Sequence, residues 1–248
     1  MERGSSADED AGYAKHVRAI GQGALVVIGA LLVASAVTQP FTRVLVDAGA
    51  VAAGSPMETV VRTVLQFVGF LMAVGGYIVI TDDRSLIDID RLDGRDAATI
   101  VAGTVILLAL QFSALFVFGL LGISTGENQA LLPGRADPTY FLYMIVVSIV
   151  FVGPGEELLF RGTVQGLFRR AWGMWPSILL ASAIFGLIHV PAVVGAPGEA
   201  LMYAVVATGL GCVLGYLYER TENVIVPCLI HGFYNGAIYA IQYVEQVF

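Results

Sequence analysis

Apolar residues in this chain come in long unbroken runs rather than in alternation. The runs are Ala19–Val37, Thr59–Ile80, Ala97–Ile123, Tyr140–Phe168, Pro176–Gly195, Ala200–Tyr218 and Val224–Tyr243. Each is close to or beyond the ~20 helical residues needed to cross a ~30 Å hydrocarbon core. A transmembrane barrel would show short alternating strands instead. The pattern therefore predicts an all-α, polytopic membrane bundle of about seven helices, with room for an eighth in the long third and fourth runs. Residues 1–18 read as a polar N-terminal tail and 19–248 as a multispanning membrane domain. The tail has no basic region leading into a cleavage site, so a cleaved signal peptide is not expected. No internal repeat is visible, and an inverted-repeat transporter gains no support.

Composition agrees with the pattern. Of 248 residues 57% are hydrophobic and 13% charged, against about 25% charged in soluble domains, and the mean hydropathy is +0.79. These values exclude disorder, a nucleic-acid partner and a disulfide scaffold. The net charge is −7 and Lys15 is the one lysine. Acidity gathers at Asp8, Glu9 and Asp10 and again at Asp82, Asp83, Asp88, Asp90, Asp93 and Asp96; such a coat suits concentrated salt, which screens like charges. Arg3, Lys15, Arg18, Arg84, Arg91, Arg95, Arg169, Arg170 and Arg220 fall at one end of the predicted helices, and Arg43, Arg62 and Arg135 at the other. That bias predicts a cytoplasmic N-terminus in a cell membrane. Tyr140, Trp172, Trp175 and Tyr218 near run ends fit aromatic belts. Cys212 and Cys228 read as small buried hydrophobes, and His16 as a solvated tail residue.

Ionisable groups inside a membrane are costly and point to function. Here they form three short sets: Glu156, Glu157 and Arg161; Phe185 with His189; and His231 with Asn235. Glu157 and Arg161 are four apart, the spacing of a helical ion pair, and Glu156 is turned about 100° away. At ~1.5 Å per residue the three sets reach similar depths. Gly153-Pro154-Gly155 precedes the glutamates and predicts a helix break beside a water-accessible cavity. Gly211 and Gly215 read as close-packing residues, and Phe185 as a packing residue that fixes the His189 helix. A carboxylate and a histidine in a shielded cavity can activate water, and a second histidine with an asparagine can hold an oxyanion. The reaction that fits is amide hydrolysis in the membrane. No Ser-His-Asp set or pair of intramembrane aspartates is apparent.

The ordered motifs Glu-Glu-x-x-x-Arg, Phe-x-x-x-His and His-x-x-x-Asn over Gly155–Asn235 resemble the CPBP family of CAAX proteases and bacteriocin-processing enzymes, with its Rce1-like type II CAAX endoproteases. The resemblance implies a protease-like core at about 140–244 and an intramembrane endopeptidase acting on a membrane-associated, sometimes prenylated, substrate. It implies that Glu156 with His189 activates water, that His231 and Asn235 stabilise the oxyanion, and that Glu157 and Arg161 support the site or place substrate. Members are often labelled metalloproteases; Glu156, His189 and His231 would be the zinc set, although HExxH is absent. Two other readings stay open: a non-catalytic binding or immunity-type membrane protein on the same fold, and a proton-coupled transporter or channel.

Overall fold

The computed structural model describes residues 3–248, with side chains described from Gly12 onward; Asp8, Glu9 and Asp10 of the expected tail lie outside the described side chains. Among the described residues nine α-helical segments run in chain order: α1 (Arg3–Asp47), α2 (Pro56–Thr81), α3 (Gly94–Leu120), α4 (Thr139–Val147), α5 (Gly153–Glu157), α6 (Gly166–Trp172), α7 (Met174–Ile188), α8 (Pro197–Thr221) and α9 (Ile225–Val247). Two-residue strands β1 (Glu127–Asn128) and β2 (Val193–Val194) pair antiparallel. The molecule is an all-α, polytopic membrane bundle.

Local chemistry starts the helices where the apolar runs begin. Ser55 caps α2, its hydroxyl accepting from the Glu58 N–H, and Pro56 sits where its missing N–H costs nothing. Asp93 and Asp96 form a reciprocal capping box on α3. α1 packs along α2, α7 along α8, and α9 lies among α3, α4, α5 and α8. His16 is not a free tail residue: it stacks on Trp172, with ring centroids 4.9 Å apart, and fastens the start of α1 to the end of α6.

Six helices are long and apolar enough to cross a membrane, spanning Gly12–Asp47, Pro56–Thr81, Gly94–Leu120, Thr139–Trp172, Met174–Ala192 and Pro197–Thr221. The seventh predicted run is the helix α9, long enough to span but less apolar than the others. Its His231, Asn235 and tyrosines lower its hydropathy, and much of it is covered by neighbouring helices. It therefore need not be greasy all round.

The break predicted at Gly153-Pro154-Gly155 takes another form. The fourth run stays one helix from Thr139 to Trp172, but the turns on either side of α5 widen to π geometry, over Ser148–Val152 and Leu158–Gln165. The Gly153 N–H reaches the carbonyl of Ser148, five residues back. An inserted residue of this kind absorbs the missing proline donor without opening the rod, and such bulges cluster at functional sites.

Candidate functional site

The two π turns aim consecutive glutamates into the bundle. Glu157 and Arg161 side chains are fully buried, with Nε to Oε2 at 3.0 Å. The other Glu157 oxygen, Oε1, lies 2.8 Å from His231 Nδ1 and accepts its N–H. That bond fixes the ring so that His231 Nε2 faces Glu156 Oε2 at 3.5 Å. Glu156 Oε1 in turn faces His189 Nε2 at 4.0 Å, a gap longer than a direct hydrogen bond. The carbonyl of Phe185, which can only accept, takes the His189 Nδ1–H at 2.7 Å. His189 thus presents an unprotonated Nε2 to Glu156 when neutral.

His189 does not sit within a helix: α7 ends at Ile188, and His189 caps it before the turn Val190–Ala192. Pro191 ends the helix there, earlier than the predicted Gly195. Asn235, one turn beyond His231 on α9, lines the same cavity as Glu156, His189 and His231. Phe185 does more than fix the His189 helix. Its ring lies 4.6 Å from the His189 ring and 5.9 Å from that of His231, and the Arg161 guanidinium sits 4.8 Å from its centroid. The terminal nitrogens of Arg161 have no hydrogen-bond acceptor among the described residues, so Glu157 and the face of Phe185 carry its charge.

Glycines set the approach of the helices. A Cβ at Gly153 would run into the Cys228 carbonyl and Gly232, and one at Gly232 would meet the Ile149 backbone at 2.7 Å. Only this mutual close packing lets α9 bring His231 against the glutamates. Gly211, read from sequence as helix packing, faces Arg161, Ser182 and Phe185, and a Cβ there would lie 3.2 Å from Arg161 Nη2.

The cavity holds about 540 Å³ and runs from Glu156 past Ser148, Tyr203 and Tyr239 to Gln129, Gln242 and Glu245. Its walls mix Phe67, Leu107, Leu131 and Val206 with Gln66, Gln111 and Tyr234. Tyr203 and Asn128 escaped the sequence reading: Asn128 Nδ2 donates to Tyr203 Oη at 2.8 Å, and the Tyr203 ring stacks on His189 with centroids 6.3 Å apart. A lone tyrosine in an apolar run and an asparagine in a loop carry no spacing signal. Zinc would draw two nitrogens and a carboxylate oxygen to one point about 2 Å from each. Here the two imidazoles face different oxygens of Glu156, and among the described residues no group of three or more His, Cys, Asp or Glu side chains is arranged to hold a metal ion. As it stands the donor set does not fit zinc.

A match to a known family covers this same part of the chain. Residues 138–237 match the family described as "Type II CAAX prenyl endopeptidase Rce1-like". The Bacillus subtilis (strain 168) protein named "Putative membrane peptidase YdiL" is 30% identical over 139 residues, 53% of this chain and 51% of that protein. The chain thus spans about half the length of this curated relative. No solved structure matches it significantly. The matched region carries the buried glutamates, both cavity histidines and Asn235, and it is this part of the chain that is similar to the Rce1-like family.

Proposed function

We propose that the chain is an intramembrane endopeptidase that cleaves a peptide bond of a membrane-associated protein or peptide. The observation that carries this reading is the Glu156 carboxylate held between the Nε2 atoms of His189 and His231 on the wall of a cavity inside an apolar helical bundle. The family match and the similarity to a named membrane peptidase support it.

Glu156 is the general base. A water set to the cavity side of the 4.0 Å gap between Glu156 Oε1 and His189 Nε2 can donate one hydrogen bond to each of these acceptors. Glu156 takes the proton as the water oxygen bonds to the substrate carbonyl carbon. The oxyanion that forms is held by N–H groups of Asn235 and His231. For His231 to donate from Nε2 while Nδ1–H serves Glu157, the ring must be an imidazolium. With that charge the set Glu156, Glu157, Arg161 and His231 is electrically neutral, the arrangement a low-dielectric site favours. The C–N bond then breaks, the proton on Glu156 passes to the leaving amine, and the carboxylic acid so formed gives its remaining proton to the freed Glu156 carboxylate, which returns it to water or to the amine, so that the acid leaves as carboxylate. Glu157 and Arg161 orient His231 and do not touch substrate.

Purified protein in detergent or nanodiscs, offered prenylated CaaX peptides and unprenylated membrane-associated peptides, tests the proposal. Cleavage is expected to fall at least 10³-fold in Glu156→Gln with the melting temperature unchanged, a loss in the range expected for a general base. Turnover retained in that variant would refute Glu156 as base. Preference for the prenylated series would assign the substrate class.

A further inference from the structure

Seven consecutive residues, Thr125–Leu131, line the cavity. β1 lies in the middle of that stretch. It pairs on one edge with β2, Glu127 opposite Val194 and Asn128 opposite Val193. Neither β2 residue lines the cavity, whereas both β1 residues do, and among the described residues β2 is the one strand that pairs with β1. A strand paired on one side only presents main-chain donors and acceptors to whatever extended chain comes alongside.

This edge is held rigidly and close to the reacting groups. β2 begins four residues after His189, so at most ~14 Å of chain separates them. Asn128 is tied to Tyr203, which stacks on His189. The Asn128 side-chain oxygen accepts from the Ala130 N–H at 2.9 Å, Tyr140 donates to the Ala130 carbonyl at 2.9 Å, and Gln129 donates to the Pro191 carbonyl at 3.1 Å. An ordered edge costs little entropy on binding.

The geometry points to β1 as the substrate-docking edge: the peptide is received as a third, extended strand along β1, its scissile bond delivered to Glu156 on the wall of the same cavity. This rests on the endopeptidase reading and narrows its substrate. A helical segment has its amides satisfied internally and cannot pair with β1, so the substrate class is a peptide segment that is extended, or unwound, at the cleavage site. Recognition is through the main chain, with side-chain preferences set by the walls of the cavity.

The test is a backbone scan. One peptide is N-methylated at each position in turn, and each version is measured for kcat/KM with the wild-type protein and for binding to the Glu156→Gln protein by fluorescence anisotropy. The expected result is a loss of at least tenfold at every second residue on one side of the scissile bond, borne by KM and by Kd. A helix-stabilised version of the same peptide is expected to bind at least tenfold more weakly than the flexible one. Losses without a two-residue period, or equal binding of the helical version, would overturn the docking edge. Periodic binding losses without any cleavage would keep it and sink the endopeptidase reading, so the two fail separately. An absence of both binding and cleavage across the panel overturns both.

Discussion

At the scale of single residues the site is a chain of dependencies. Arg161 holds one oxygen of Glu157, the other oxygen holds His231, and His231 faces Glu156. Removing the first link takes one of two positive charges from the buried set and leaves one oxygen of Glu157 without a partner. Arg161→Ala is therefore expected to destabilise the protein by about 3–5 kcal/mol, read as a large fall in thermal unfolding temperature. A matched change on the lipid-facing surface should leave that temperature nearly unmoved. Arg161→Lys keeps a charge but loses the planar group that lies against Phe185, and should recover part of the stability. An Arg161→Ala protein as stable as wild type would show that Glu157 is not charged in the folded state.

At the scale of elements, two glycines decide whether the site exists. Gly153 on α5 and Gly232 on α9 meet backbone to backbone, and neither position has room for a Cβ. Gly153→Ala must push α9 outward, carrying His231 and Asn235 away from Glu156. A misplacement of about 1 Å can cost ~10²-fold in rate, and that loss, with the melting temperature lowered only modestly, is the expected outcome of a kcat measurement. The π turns on either side of α5 belong to the same economy of space. From neighbouring positions on one rod, Glu156 faces the Nε2 atoms of both His189 and His231, while Glu157 takes His231 Nδ1 and Arg161. Gly211 works in the same way on α8, where a side chain would press on the buried guanidinium of Arg161.

At the scale of the molecule, the acidic loop between α2 and α3 docks beneath the helix that carries the glutamates. Leu86 and Ile87 pack against Gly166 and Gly162, the Asp88 carbonyl accepts from the Val224 N–H, and Asp83 pairs with Arg170. The Arg170 guanidinium, hydrogen-bonded to Asp83, holds that carboxyl below the usual carboxylate range. A depressed carboxylate stabilises the folded state fully above its ordinary value near pH 4 and loses that contribution as pH falls through its folded value. Arg170→Gln should thus cost less than about 1 kcal/mol at pH 7, and the gap from wild type should close only as pH falls below the ordinary carboxylate range in paired thermal melts. The distribution of arginines supports a cytoplasmic position for this loop. With Gln129→Cys and Arg91→Cys made separately, a membrane-impermeant maleimide applied to intact cells is expected to label the first and spare the second. The reverse pattern would invert the orientation and put the mouth of the cavity on the cytoplasmic side.

The sequence by itself determined that the chain is a helical membrane protein, because long apolar runs can satisfy their backbone in lipid only as helices. It also marked Glu156, Glu157, Arg161, His189, His231 and Asn235, because ionisable and amide groups are conspicuous against an apolar background. It left α9 looking like one more ordinary span, and it read Gly153-Pro154-Gly155 as a break. Only the tertiary structure decided that α9 lies among the other helices, that the fourth helix widens rather than breaks, and which oxygen of which glutamate meets which imidazole. Those outcomes depend on how closely backbones from distant parts of the chain can approach, as at Gly153 and Gly232. Nor could a linear pattern show the Asn128–Tyr203 contact or the pairing of β1 with β2. These arise when a loop before α4 meets a turn after α7, and no periodicity along the chain records where two such segments will touch.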